Sequence, residues 1–343
     1  MTPADTFSPT RVLWSLWERA GMAVVFVAIF LCAAIWVDGF FSWRNMINLT
    51  LSVSMIGMVA CTMLFCLASG DFDLSVESVV ACSGVTAAVV IGLTGSVSAG
   101  ILAGIGAGGL AGLINGVVIA KLKINALIAT LAMMQIVRGL GFIISKGSAV
   151  GVTEESFFLL GQNVAAVLEH LGFTDLPDHA LLRIPVPILI TAACFAVFGV
   201  LLNKTTFGRN TLAVGGNREA ARLAGIAVDR IKITIFTLQG LMAGLAGVVM
   251  ASRMTSGQPK SSEGFSLDVI SSCVLGGVAL SGGIGTITGT IVGVLILGTV
   301  RNAMDMANVS KFYQYVVTGG ILLVAVLLDQ LKRKLARRAA GGH

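Results

Sequence analysis

The chain has 343 residues, 56% of them hydrophobic and only 12% charged, with 23 Lys and Arg against 17 Asp and Glu. A soluble domain is about 25% charged, and a mean hydropathy of +0.92 excludes an ordinary soluble fold. The apolar runs are continuous rather than alternating and long enough to cross a hydrocarbon layer of about 30 Å, which excludes a β-barrel and leaves an all-α polytopic membrane protein.

Ten spans are expected, near residues 22–40, 48–68, 76–94, 97–119, 126–145, 184–202, 232–251, 266–281, 286–304 and 312–328. They make a transmembrane domain over 22–328, between a polar segment at 1–21 and a basic tail at 329–343. The first apolar run begins near Gly21, exceeds a signal-peptide core and lacks a small-residue cleavage site, so it is expected to stay as a span. The eighth is short for a full crossing. The second, third and ninth meet glycine-rich or acidic breaks, and broken or re-entrant helices are expected there.

Where the second span meets the third, the run SGDFDLSVES holds Asp71, Asp73 and Glu77. A charge at mid-membrane costs roughly 2.5–3.5 kcal/mol, so it needs a partner or a water-filled path. Asp73 or Ser75 can cap the third helix; alternatively the broken segment borders a permeation path. In the fourth span Gly104, Gly108, Gly112 and Gly116 recur every four residues and share one face, where a neighbouring helix can approach closely. Gly285, Gly289 and Gly293 repeat the device in the ninth span, and Gly240 and Gly244 in the seventh. Asn115, Gln135, Arg138 and Gln239 also lie within spans, and Gln135 and Arg138 share a face of the fifth. With Asp71, Asp73 and Ser75 they form the candidate path lining; an interhelical hydrogen-bond network accounts for them equally well.

Residues 146–183 form the longest segment on one side, with Glu154, Glu155, Glu169, Asp175 and Asp178 and an expected amphipathic helix at 154–170. It reads either as a solvated connector or as a landing surface for an external partner. On the other side, 203–232 carries Lys204, Arg209, Arg218, Arg222, Arg230 and Lys232 against Glu219 and Asp229. Within it NREAARLAG is expected to form a short helix: Asn217 is a good N-cap, Glu219 suits the first turn and Gly225 is a natural stop. Such a helix can lie in a partner's groove or rest on the membrane surface, and the residues alone leave both open.

The positive-inside rule places Arg11, Arg19, Lys121, Lys123, the six basic residues of the 203–232 loop and Lys332, Arg333, Lys334, Arg337 and Arg338 in the cytoplasm. Arg44, Lys146, Arg183, Arg253, Lys260, Arg301 and Lys311 fall on the other side, with Arg138 inside a span. Both termini are therefore expected to be cytoplasmic, in a bacterial inner membrane. A basic tail beside a last span faces anionic lipid, so the net charge of +6 requires no nucleic acid. The six cysteines lie in apolar segments without a CxxC pair, and His170 and His179 are far from them, so neither metal ligands nor a disulfide framework is expected. No P-loop, HExxH or GxSxG run occurs. No catalytic residue is assigned, and uphill transport would draw on an ion gradient or a separate ATPase.

TTFGRNTLAVGGNREAARLAGI resembles the cytoplasmic coupling loop of ABC importer permeases of the ribose/sugar family. GDFDLSVES and VLGGVALSGGIGTITGT resemble that family's two other signature segments, and the likeness runs from about residue 20 to 330. Within the family, ACTMLFCLASGDFDLS, AKLKINALIATLAMMQIVRGL and ASRMTSGQP are most similar to the permeases of bacterial L-arabinose importers. The chain departs from the family at Ser69-Gly70-Asp71-Phe72, where a glycine pair before Ile-Asp is frequent. The resemblance implies a type II-like importer permease that forms a homodimer with a second copy. Two ATPase subunits carrying ATP and Mg would bind at Asn217, Arg218, Glu219, Ala220, Ala221, Arg222 and Gly225, and a periplasmic sugar-binding protein would dock outside. This chain would itself bind no cofactor. Ribose, xylose and galactose are the alternative cargoes. An ion-coupled transporter using Asp71 or Asp73, a passive channel and a structural scaffold are the rival readings.

Overall fold

The computed structural model describes residues 9–173 and 180–340, with side chains placed except at 9–20, 180, 328–329 and 331–340. Asp175, Asp178 and His179 lie outside the described residues, as do the side chains of Arg11, Arg19 and the five basic residues of the tail. In chain order the helices are α1 (Pro9–Trp36), α2 (Trp43–Ala68), α3 (Val76–Thr94), α4 (Val97–Ala120), α5 (Ala126–Ser145), α6 (Glu155–Phe158), α7 (Val164–His170) and α8 (Val186–Lys204). They continue with α9 (Thr206–Gly216), α10 (Arg218–Leu223), α11 (Val228–Arg253), α12 (Phe265–Leu275), α13 (Ile287–Met306) and α14 (Lys311–Ala340). Seven are long and apolar enough to cross a membrane (α2–α5, α8, α11 and α13), and Gly21–Trp36, Phe265–Leu275 and Lys311–Leu327 are shorter apolar helices. The ten expected spans thus each correspond to a helix.

α2 is the central post, buried without interruption from Val53 to Ala68. The glycine faces explain how its neighbours pack. A Cβ at Gly112 would overlap the Phe236 carbonyl oxygen, and one at Gly240 the Gly108 carbonyl oxygen, so α4 and α11 meet backbone to backbone. Gly289 and Gly293 do the same for α13 against Gly276 and Ser272 at the end of α12. Gly285, expected in that row, instead precedes α13 and faces Leu64 of α2, because Thr286 caps the helix one residue later by accepting from the Gly289 N–H at 3.1 Å.

The bundle has two distinct ends. At one, the α4–α5 turn meets the start of α11, with Lys123 Nζ 2.6 Å and Lys121 Nζ 3.9 Å from the Asp229 carboxylate. At the other, Val150–Gly151 (β1) and Ser256–Gly257 (β2) pair antiparallel. Near that second end the single helix expected over 154–170 is broken into α6, a 3-10 turn at Leu159–Gly161 and α7. The cause is pairing with the chain ahead of α8: the Val186 N–H donates to Gln162 O at 2.8 Å and the Val164 N–H to Ile184 O at 3.0 Å. Two further corrections concern charge. Arg301, counted with the basic residues of the outer side, lies inside α13 and is ion-paired with Asp268 of α12. Lys232, counted with the polar loop, is buried in the second turn of α11.

Candidate functional site

α10 is a single exposed turn and a half whose limits follow from its sequence. The Asn217 side chain accepts from the Ala220 N–H at 3.0 Å, and Gly225 ends the turn at φ +84°, a backbone region that disfavours a Cβ. Ala221 is buried between Val214 and Val228, while Arg218, Glu219, Ala220 and Arg222 are exposed and Leu223 is 90% exposed. Ahead of α10, the polar segment holds α9 as well, a helix that glycine-rich TFGRNTLAVGG had masked as loop.

The α9–α10 joint is built into the bundle. A Cβ at Gly215 would overlap the Ala68 carbonyl oxygen at the end of α2, and that same oxygen accepts from the Gly283 N–H at 2.8 Å. The three sequence segments GDFDLSVES, NREAARLAG and VLGGVALSGGIG therefore converge at one point. Asp71 is its electrostatic centre. Its carboxylate, 7% exposed, pairs with the buried Lys232 ammonium and lies 3.5 Å from the Arg218 guanidinium of α10. In a low-dielectric site this attraction is strong, and either partner left alone would be costly.

Around it the other polar residues form a lattice. Asp73 Oδ1 accepts from the Ser75 N–H at 2.9 Å and hydroxyl at 2.6 Å, a local turn just ahead of α3; Ser75 holds the N-cap position without a side-chain cap bond, and the Glu77 N–H of the first turn donates instead to Ser266 Oγ at 3.0 Å. Asn115 Nδ2 donates to Ser75 Oγ at 2.9 Å. Glu77 pairs with Arg138 of α5 and accepts from the Gly264 N–H at 3.1 Å, which lodges a carboxylate at the N-terminus of the half-helix α12. Ser266 ties the same region to Leu74 O at 2.9 Å. Of the seven path candidates, Asp71, Asp73, Ser75, Asn115 and Gln239 are buried, Arg138 is half-buried and Gln135 is exposed on α5. Gln239 is fully buried, and its amide finds no hydrogen-bond partner among the described residues. Lys232, Asp268, Arg301 and Ser266 were not singled out from sequence. The signal for Asp268 and Arg301 was present, since each is a charge inside an apolar run that demands a counter-charge.

A cavity of about 570 Å³ opens between α2, α12, α13 and α14. None of the seven path candidates lines it. Among the described residues no group of His, Cys, Asp and Glu is arranged to hold a metal ion.

The family model for the permease component of branched-chain amino acid transport systems matches residues 45–326. The chain belongs to this family. This multi-pass permease is also 58% identical over 335 residues to the L-arabinose transport system permease protein AraH of Escherichia coli K12, covering 98% of this chain and 96% of that one. It is 51% identical over 339 residues to the L-arabinose ABC transporter permease AraH of Azospirillum brasilense, covering 98% and 95%. The ribose import permease RbsC of Bacillus subtilis is 42% identical over 288 residues, covering 84% and 85%. No solved structure matches. The span between α2 and α13 is thus permease machinery, and the convergence of its three motif segments lies wholly within the family match.

Proposed function

We propose that this permease carries L-arabinose inward across a bacterial inner membrane, as part of an importer driven by ATP hydrolysis on separate subunits. The sugar reading rests on the relatives at 58% and 51% identity being named for L-arabinose, with ribose permeases further away. Another monosaccharide is the alternative cargo. The observation that carries the mechanism is the link from the exposed helix α10 through Arg218 to the buried Asp71. An ATPase subunit gripping Glu219, Ala220, Arg222 and Leu223 would move α10, and the charge contact would pass that displacement to the break between α2 and α3. Two such subunits on a pair of permease chains, with both termini cytoplasmic and a sugar-binding protein delivering cargo near residues 146–183, complete the assembly. ATP and Mg belong to the ATPase, so this chain needs no cofactor of its own.

An ion-coupled reading is weakened by the same geometry. Asp71, its best intramembrane carboxylate, is engaged by two cations, and Asp73 is engaged by Ser75. The test is reconstitution in proteoliposomes with the ATPase and binding protein, following labelled arabinose against unlabelled arabinose, xylose, ribose and galactose. Accumulation that requires ATP and is competed best by arabinose is expected. Accumulation by the purified chain alone, driven by an ion gradient, would overturn the proposal.

A further inference from the structure

The cavity between α2, α12, α13 and α14 opens at the end of the bundle away from α10, and its wall changes character with depth. Its mouth lies where the α1–α2 and α13–α14 turns meet: Ala33, Phe40 and Leu49 pack against Ala303 and Met306, and Asn45 bonds Asn302. Trp36, Phe41 and Trp43 on the first turn, and Phe312, Tyr313 and Tyr315 at the start of α14, all stand exposed around that level. Exposed aromatic side chains at the ends of membrane spans mark the headgroup layer. The mouth is therefore at headgroup depth, and the space below it is at the depth of acyl chains.

All five charges of the wall are in its upper part. Arg301, Asp305 and Lys311 line it from the last turns of α13 and the first residue of α14, and Glu263 and Asp268 from the approach to α12 and its first turn. Further in, α2 contributes Val53 and Ile56, α13 Gly298, and α14 Gly319 and Leu322. The hydroxyls at that depth are few: Ser52 donates to Leu49 O at 2.7 Å and Ser271 Oγ is buried out of reach, which leaves Thr318. Along α14 the passage from Lys311 to Leu322 covers roughly 16 Å, about half of a hydrocarbon layer. A wall charged above and apolar below fits an amphiphile, whereas a wholly polar solute would meet the lower half unpartnered.

The mouth specifies the headgroup. Arg301 and Asp268 satisfy each other as a bidentate pair. Asp305 Oδ1 accepts from Gln314 at 2.7 Å, which leaves its second carboxylate oxygen to spare. Glu263 and Lys311 are exposed, line the same cavity and form no ion pair among the described residues. Opposite charges that share a cavity without pairing leave room for a dipolar group between them, an ammonium against Glu263 and Asp305 and a phosphate against Lys311. A primary ammonium brings three N–H donors to those carboxylates; a trimethylammonium group has none to give.

We propose that this cavity binds one zwitterionic phospholipid of the ethanolamine type, its headgroup between Glu263 and Lys311 and an acyl chain along Gly298, Gly319 and Leu322. The site depends on the chain being a multi-pass membrane protein and on no particular cargo. The test is native mass spectrometry of the full-length permease, delipidated in detergent and titrated with ethanolamine, choline and glycerol phospholipids of matched acyl chains. One ethanolamine lipid retained per chain, about tenfold more tightly than the choline lipid, is expected. Glu263→Gln should erase that preference, and Lys311→Gln should weaken both zwitterionic lipids about tenfold. Gly319 has nothing within 4 Å of where a Cβ would stand, so Gly319→Phe should fold, fill the lower half and expel the lipid with the charges intact. Gly106→Phe, equally open on α4, is the control that keeps lipid binding, and size-exclusion of each variant checks its fold. No preference for the ethanolamine lipid, or retention unchanged in all three cavity variants, means an annular lipid only and overturns the assignment. Loss of a dimer rather than of a lipid in Gly319→Phe makes the cavity a contact between copies and overturns it as well.

Discussion

Lys232 is 3% exposed, and a lone ammonium there would have neither water nor a counter-charge. Asp71 supplies the counter-charge, and Arg218 shares it from outside. Breaking a buried pair by removing one partner costs about 3–5 kcal/mol, whereas replacing both partners with apolar groups is often neutral. Asp71→Asn is therefore expected to lower the unfolding temperature of the purified permease markedly. Adding Lys232→Met to it should restore most of the loss. Thermal unfolding in detergent of the two single variants and the double variant measures this directly. Additive losses would mean that the two side chains do not act as a pair. The cap of α10 is a smaller matter: Asn217→Ala forfeits one hydrogen bond to the Ala220 N–H, about 1 kcal/mol of local helix stability.

Among the elements, the α4–α11 contact is the most demanding, because glycine is needed there for space and not for conformation. Gly112 faces the Phe236 carbonyl and Gly240 at distances that leave no room for a side chain, whereas Gly106, on the same helix, has nothing within 4 Å of where a Cβ would stand. Gly112→Val is expected to abolish folded protein in the membrane, and Gly106→Val to leave its yield near that of the unsubstituted chain. Equal yields of the two, read by size-exclusion of the solubilised protein, would remove the close-packing argument. The four-residue glycine spacing made this face legible in the sequence, as did the apolar runs and the Asn217 and Gly225 limits of α10, since each of these is set locally. What was not legible is set by pairings between distant residues. The partners of Glu77 and Asp268 lie 61 and 33 residues away. α9 was hidden because its three glycines lower helix propensity, while burial of Thr211 and Val214 against the bundle overrides that preference. The break within 154–170 has no counterpart in its local apolar pattern, because it comes from the strand-like pairing of 162–164 with 184–186.

At the scale of the whole molecule, one small helix faces outward to solvent, where an ATPase is proposed to grip it, and inward to a buried charge, and these two faces should be separable. Leu223, 90% exposed, touches nothing that the bundle needs, so Leu223→Asp is expected to leave the fold intact and to release the ATPase. Arg218 is half-exposed and reaches Asp71 at 3.5 Å. Arg218→Gln should leave the ATPase bound and hydrolysing while uptake falls, because displacement of α10 then no longer drags Asp71 and the break between α2 and α3. Co-purification, ATP hydrolysis and sugar uptake, measured on the same preparation of each variant, distinguish the two effects. Should Arg218→Gln lose the ATPase as Leu223→Asp does, Arg218 belongs to the docking surface and the inward link is not the transmitting element. Should it keep full uptake, force must enter the bundle by backbone contact alone, through Gly215 against the Ala68 carbonyl and the Gly283 turn.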